Sequence, residues 1–278
     1  MGTSAATGTQ TGGLDAQSQG TTGCCGGRCG SASSQPAHGR PTAELPAAGR
    51  QLLEKIESGS ALVGVVGLGY VGLPLAASLH AGGLPVLGLD VDQSKVQALA
   101  RGENYLKHLG EAMAQTLSRS ERFEATSDFA RLAEADVVIV CLPTPLGPHL
   151  EPDLSYVVAA GEQIGRTLRR GQLIVLESTT YPGTTRGEFL GAIEREAGRA
   201  GSSLRLGEDF FVAYSPERED PGRRDHTTST IPKLVGGLDE ASADLAMAMY
   251  ARGIEKLHRV DSAEIAEMTK LLENIFRS

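Results

Sequence analysis

The chain has 278 residues, 40% of them hydrophobic, and a formal net charge of −8. That length supports one large domain or two small ones around a substantial core. The acidic balance and the lack of a basic stripe argue against a phosphate-backbone binder, so no nucleic-acid partner is expected. The longest apolar stretch, DVVIVCL at 136–142, falls far short of the ~18 residues that cross a bilayer. The N-terminus lacks a charged start followed by an apolar block, so no membrane partner and a cytoplasmic location are expected.

Residues 1–50 hold eleven of the 35 glycines and not one Val, Ile, Phe or Tyr. Such a segment buries too little apolar area to offset its ordering entropy and is predicted to be a disordered Gly/Ser/Ala-rich tail. It carries Cys24, Cys25 and Cys29 with His38 nearby. The spacing matches no zinc pattern, so no metal is expected and the thiols are predicted to be mobile and open to oxidation.

From about residue 50, short β-branched runs alternate with amphipathic segments. The predicted strands are 61–66, 85–90, 122–126, 136–142, 172–177, 209–214, 232–236 and 255–260. The predicted helices are 71–82, 92–101, 108–119, 153–169, 183–199 and 239–251. A last helix opens near Asp261, where Asp261 and Glu264 have capping-box spacing. Short apolar strands alternating with helices imply parallel pairing through crossovers, hence an α/β fold with a doubly wound parallel sheet of the Rossmann type.

The stretch LVGVVGLGYVGLPLAASL, residues 62–79, contains Gly67, Gly69 and Gly72 in Gly-x-Gly-x-x-Gly spacing directly between a strand and a helix. Backbone N–H groups and the positive helix end then face a pyrophosphate. Gly67 permits the tight turn, Gly69 lets the backbone approach the phosphates, and Gly72 lets the helix pack on the strand. Leu68, Tyr70 and Val71 complete the turn. Asp90, 18 residues after Gly72, stands where a carboxylate accepts hydrogen bonds from the adenosine ribose. No Arg follows Asp90 to receive a 2'-phosphate, so the expected cofactor is NAD rather than NADP.

Three later strand ends carry polar clusters at the carboxyl edge, where open α/β sheets bind ligands: CLPTPL at 141–146, ESTTYPGTT at 177–185 and YSPEREDPG at 214–222. With GLGYVGLPLA, DVDQSKV, PTPLGPHLEPDLSYV, IPKLVGG and EMTKLLENIFR, these phrases make the chain from about residue 62 onward resemble the UDP-glucose/GDP-mannose dehydrogenase family. Within it the chain is most similar to the UDP-N-acetylhexosamine 6-dehydrogenases. The resemblance implies oxidation of the C6 alcohol of a UDP-sugar to a carboxylate with two NAD+, for surface polysaccharide precursors, through a cysteine thiohemiacetal and thioester.

The same resemblance implies that Lys270 and Asn274 stabilise the oxyanion, and their i, i+4 spacing alone puts both on one helix face. It implies that Thr179 holds a catalytic water and that Glu217 faces the sugar or assists hydrolysis. It further implies that Gly67 through Gly72, Asp90, Lys95, the Pro143-Thr144-Pro145 turn and Ser178 contact NAD. Cys141, in an apolar strand, reads as a buried structural thiol. The UDP-glucose branch has a second glutamate where this chain has Pro221, leaving Glu219 or Asp220 to supply the water-holding carboxylate.

The expected organisation is a tail at 1–50, an NAD-binding domain at 51–250, and at 251–278 the last strand and the start of a central helical region. The resemblance implies that the nucleophilic cysteine and the UDP-binding domain lie beyond residue 278, so that the chain alone is inactive, and that a full-length relative is a homodimer. Two other readings stand beside this one: a β-hydroxyacid dehydrogenase, and an inert NAD-binding module or one half of a split enzyme.

Overall fold

The computed structural model of the chain describes residues 44–106, 111–147, 151–217 and 232–277. Cys24, Cys25, Cys29 and His38, and the carboxylate candidates Glu219 and Asp220 with Pro221, lie outside the described residues.

Eight strands form one sheet: β1 Val63–Val66, β2 Val86–Leu89, β3 Phe123–Thr126, β4 Val137–Val140, β5 Leu173–Leu176, β6 Phe211–Tyr214, β7 Lys233–Gly237 and β8 Leu257–Arg259. Their order is β3-β2-β1-β4-β5-β6-β7-β8. The helices are α1 Ala47–Ser58, α2 Gly72–Ala81, α3 Gln93–Ala100, α4 Glu111–Ser118, α5 Ser155–Thr167, α6 Leu190–Arg199, α7 Glu240–Tyr250 and α8 Ala263–Arg277. A 3-10 turn spans Phe129–Ala133, and a π-helical turn, Thr185–Phe189, leads into α6.

Alternation along the strands explains why both faces are covered. Val137 and Ile139 of β4 share a core with residues of α1, α2 and α7. Val138 and Val140, between them in sequence, join a second core with α5, α6 and α8. A strand whose successive side chains both meet helices must be apolar throughout, as the run at 136–142 is. Side-chain caps start α3, where Asp92 accepts from Ser94 N at 2.9 Å, and α7, where Asp239 accepts from Ser242 N at 2.8 Å.

Two features depart from the sequence expectation. The pairing is parallel from β3 through β6, but β7 runs antiparallel to β6, pairing Ala213 with Gly237 and Tyr214 with Gly236. A parallel return needs a crossover, usually helical. No predicted helix lies between β6 and β7, so the chain turns back beside the strand it has just left. β8, reached through α7, is again parallel to β7. The second departure is α1, which lies across residue 50 and buries Ala48, Gly49, Leu52 and Ile56. It follows Pro46 and ends at Gly59, whose φ of 75° is the left-handed conformation of a helix C-terminus.

Candidate functional site

The order of strands reverses between β1 and β4, and the carboxyl ends of these two strands flank the crevice where a doubly wound sheet takes its ligand. The glycine turn leaves β1 there. Gly67 has φ 93°, and a Cβ on it would lie 2.5 Å from the Cys141 carbonyl oxygen. A Cβ on Gly72 would meet the Gly67 carbonyl oxygen at 1.9 Å. Both glycines are therefore demanded by the protein's own backbone. Gly69 differs, since a Cβ there would meet nothing within 4 Å. Its space opens outward, the cradle expected where backbone approaches a phosphate. Val71 precedes α2 without capping it through a side chain, and the N–H groups of a first helical turn lack intrahelical acceptors. Tyr70 is 47% exposed beside the turn, whereas the Leu68 side chain is buried in a core with Leu73, Leu99 and Leu117.

Asp90, at the end of β2, is nearly buried. Its Oδ2 accepts from Leu68 N at 2.8 Å and Lys95 Nζ at 2.9 Å, and its Oδ1 accepts from Asp92 N at 2.9 Å. A carboxylate has about four acceptor positions, so the residue that braces the turn keeps capacity for a ribose hydroxyl. Leu68, grouped in sequence with the cofactor turn, contributes its N–H to Asp90. The turn and the acid thus fit the adenosine diphosphate end of a dinucleotide.

Across the crevice, the loops after β4 and β5 are tied together. Leu142 N donates to Ser178 Oγ at 3.1 Å, and Thr144 Oγ1 donates to the Thr179 carbonyl at 2.7 Å. Pro143 and Pro145 flank Thr144 on the exposed side. The segment then bends through Gly183 into the π-helical turn, where Phe189 N donates to Thr184 O at 3.0 Å. α8 packs against this segment. The Lys270 ammonium on α8 donates to the Glu217 carbonyl, so the structure brings Lys270 and Glu217 together. Asn274, one turn later, is exposed.

Beneath Glu217 lies a buried polar network that the sequence reading did not identify. Tyr250 Oη donates to Glu177 Oε1. Glu177 Oε2 takes no well-aligned hydrogen bond, its nearest cation being Lys233 Nζ at 3.0 Å. Lys233 Nζ also lies 3.8 Å from Glu217 Oε2 and 5.0 Å from the Tyr250 ring centroid. Burial pushes Glu177 up to about 7, with Lys233 opposing and Glu217 adding to the rise. Burial pulls the Lys233 ammonium down, but the Glu177 and Glu217 carboxylates outweigh it and the net direction is upward. Cys141, the one free cysteine among the described residues, is partly exposed by surface area yet densely surrounded. Burial, then Glu177, raise its thiol well above the ordinary range. A thiol held protonated is a poor nucleophile. Lys233 was legible in principle: an antiparallel β7 begins at the carboxyl edge, bringing the lysine that opens it to the site.

Glu267 on α8 was also passed over. It is fully buried and accepts from Gly183 N at 2.6 Å, Thr185 N at 2.9 Å, Thr185 Oγ1 at 2.6 Å and Thr180 Oγ1 at 3.3 Å. Burial raises its pKa against the pull of these donors. No group of three His, Cys, Asp or Glu side chains able to hold a metal occurs among the described residues.

An open glycine turn at the strand-order reversal, backed by an acid at the end of the second strand, defines a dinucleotide-binding protein of the Rossmann class, and NAD is its cofactor. Residues 61–254 match the UDP-glucose/GDP-mannose dehydrogenase family, NAD binding domain, and the chain belongs to this family. It is 37% identical to the UDP-N-acetyl-D-glucosamine 6-dehydrogenase of Pseudomonas aeruginosa, over 77% of this chain and 49% of that protein. It is 33% identical to the UDP-N-acetyl-D-mannosamine dehydrogenase of Pyrococcus horikoshii, over 77% of this chain and 50% of that one. Among solved structures it is similar to the NDP-N-acetyl-D-galactosaminuronic acid dehydrogenase of Methanosarcina mazei Go1, with TM-score 0.72, 34% identity, and coverage of 84% of this chain and 50% of that one. The chain thus spans about half the length of the relatives it matches. Among the described residues no helix is long and apolar enough to cross a membrane.

Proposed function

We propose that this chain is the NAD-binding half of a nucleotide-sugar 6-dehydrogenase that oxidises the C6 alcohol of a UDP-N-acetylhexosamine to the carboxylate, with two NAD+ consumed per sugar. The observation that carries this reading is the gathering, on one sheet edge, of the open glycine turn, the linked Thr144 and Thr179 loops, and Lys270 against Glu217. The named activities of the relatives supply the substrate class.

On this reading the Gly67–Gly72 turn, Asp90 and Lys95 hold the cofactor, and Pro143, Thr144, Pro145 and Ser178 shape its far wall. When bound, NAD+ supplies the hydride acceptor. The Lys270 ammonium favours loss of the substrate hydroxyl proton and, with Asn274, stabilises the oxyanion that follows. Thr179 orients water and Glu217 faces the sugar. Cys141 is not the nucleophile, because its thiol is held protonated within the wall behind the site. The exposed apolar side of α8 supports a dimer in the complete enzyme.

NADH formation tests this reading. The chain is mixed with NAD+ and UDP-N-acetylglucosamine, UDP-N-acetylmannosamine or UDP-glucose, with and without the C-terminal half of a relative added in trans. The expected result is no steady turnover alone, and two NADH per N-acetylhexosamine with the added half. Faster oxidation of UDP-glucose would overturn the substrate assignment, and sustained turnover by the chain alone would overturn the assignment of Cys141.

A further inference from the structure

The four donors to the Glu267 carboxylate come from Thr180, Gly183 and Thr185, all in the segment that follows Thr179. None comes from its own helix. One turn farther along that helix stands Lys270, in contact with the Glu217 carbonyl. The other inward residues of α8 near this point are Ala263 and Ala266, whose small side chains offer little resistance to sliding. Hydrogen bonds are directional where methyl contacts are not. A slip of one residue turns a helix by about 100° and advances it about 1.5 Å, enough to carry Lys270 away from Glu217.

We infer that Glu267 is a positioning residue that registers α8 against the Thr179–Thr185 segment and thereby sets where the Lys270 ammonium stands. The functional weight of this inference rests on the proposed role of Lys270. The charged and titratable groups around it are Arg186 and Glu264, paired at 2.7 Å on the exposed side of the same contact, and Tyr181 and Tyr214. All four donors to Glu267 are themselves neutral, so its hold is geometric rather than a charge pairing.

The experiment compares the wild-type chain with Glu267→Gln, Glu267→Ala and, as a control on the same helix, Glu264→Gln. Three quantities are read: amide hydrogen exchange at Gly183 and Thr185, the ε-13C resonance of Lys270 and its titration, and NAD+ affinity by calorimetry. In Glu267→Gln the side-chain amide keeps one accepting oxygen, so one of the two backbone amides should exchange about tenfold faster while the other stays protected. In Glu267→Ala both should exchange faster, and the Lys270 resonance should move toward that of a solvated lysine. NAD+ affinity should stay within about threefold of wild type in every variant, because the glycine turn is untouched. Glu264→Gln should leave Lys270 where it is. An unmoved Lys270 resonance in Glu267→Ala, or an equal shift in Glu264→Gln, overturns the inference. If Glu267→Ala fails to fold, the split between Gly183 and Thr185 in Glu267→Gln decides, and equal behaviour of the two amides overturns it. Failure of the wild type to bind NAD+ would remove the functional proposal while leaving the exchange and resonance readings of this contact intact.

Discussion

Lys233 Nζ stands 3.0 Å from Glu177 Oε2 with both side chains shut away from solvent, and the Tyr250 hydroxyl closes the other carboxylate oxygen. The groups facing Glu177 are therefore Lys233, Glu217, Tyr250 and Cys141. Burial raises Glu177 to about 7 in the fold, above the ~4.3 of an unfolded glutamate. Between those values the native state binds a proton that the unfolded chain does not. The associated stability is fully present below the unfolded value and is lost as pH rises through about 7. Glu177→Gln should flatten the fall in melting temperature between about pH 4.3 and about pH 7. An unchanged slope would show that Glu177 does not titrate in this window.

Gly69 and Gly72 should respond oppositely to the same added methyl group. Gly72→Ala drives a Cβ into the Gly67 carbonyl at 1.9 Å, backbone against backbone, and should cost about 1–3 kcal/mol or more. Gly69→Ala meets no protein atom within 4 Å and should leave stability within about 1 kcal/mol, yet weaken NAD+ about tenfold or more. Thermal melts and calorimetry separate the two. Unimpaired NAD+ binding by Gly69→Ala would remove the cradle from the phosphate site.

The wild-type chain should bind NAD+ more tightly than NADP+, and Asp90→Ala should weaken NAD+ by about tenfold or more through loss of a charge-assisted hydrogen bond. Lys95, 2.9 Å from the Asp90 carboxylate, partly neutralises the charge that would repel a 2'-phosphate. Lys95→Met should accordingly widen the preference for NAD+. Calorimetric titration with both cofactors is the check, and tighter NADP+ binding by the wild type would reverse the assignment of Asp90.

Ile265, Met268, Leu272, Ile275 and Phe276 form an exposed apolar side of α8, with Ile275 at 69% and Phe276 at 90% exposure. Helices of soluble proteins rarely leave such a stripe uncovered. The chain should self-associate with rising concentration in sedimentation velocity, and Leu272→Lys with Ile275→Lys should weaken that association about tenfold or more. Identical sedimentation of the double variant would mean that α8 is not the contact.

The parts of the fold legible in the sequence are those written in local pattern. Seven of the eight strands fall within their expected windows and β7 runs one residue past its window, to Gly237, because most are apolar or β-branched runs, and the glycine turn is legible because its spacing coincides with a strand-to-helix change. The reversal of β7 was missed although its signal was present: the sequence pattern predicts no helix between Tyr214 and Lys233. α1 was missed because its four buried residues, Ala48, Gly49, Leu52 and Ile56, include only two large apolar side chains and begin in a glycine- and alanine-rich context. Contacts such as Thr144 to Thr179 and Glu267 to Gly183 join residues 35 and 84 positions apart. No local period encodes them, so the roles given to Thr179 and Lys270 came from family resemblance, while the strand-end position of one and the i, i+4 spacing of the other with Asn274 were legible locally.

The π-helical turn ahead of α6 has an implication for chain length. Its bond from Phe189 N back to Thr184 O, at 3.0 Å, encloses one residue more than an α-helical turn, and one residue corresponds to about 100° of helix rotation. With that surplus residue, α6 can keep Phe189 and Ile193 in the core while Thr185 still turns both its N–H and its hydroxyl toward Glu267. A single deletion between 185 and 189 would let the helix rewind into regular α geometry, but one of those two commitments would have to be given up. This short segment should tolerate side-chain replacement far better than any change in its count of residues.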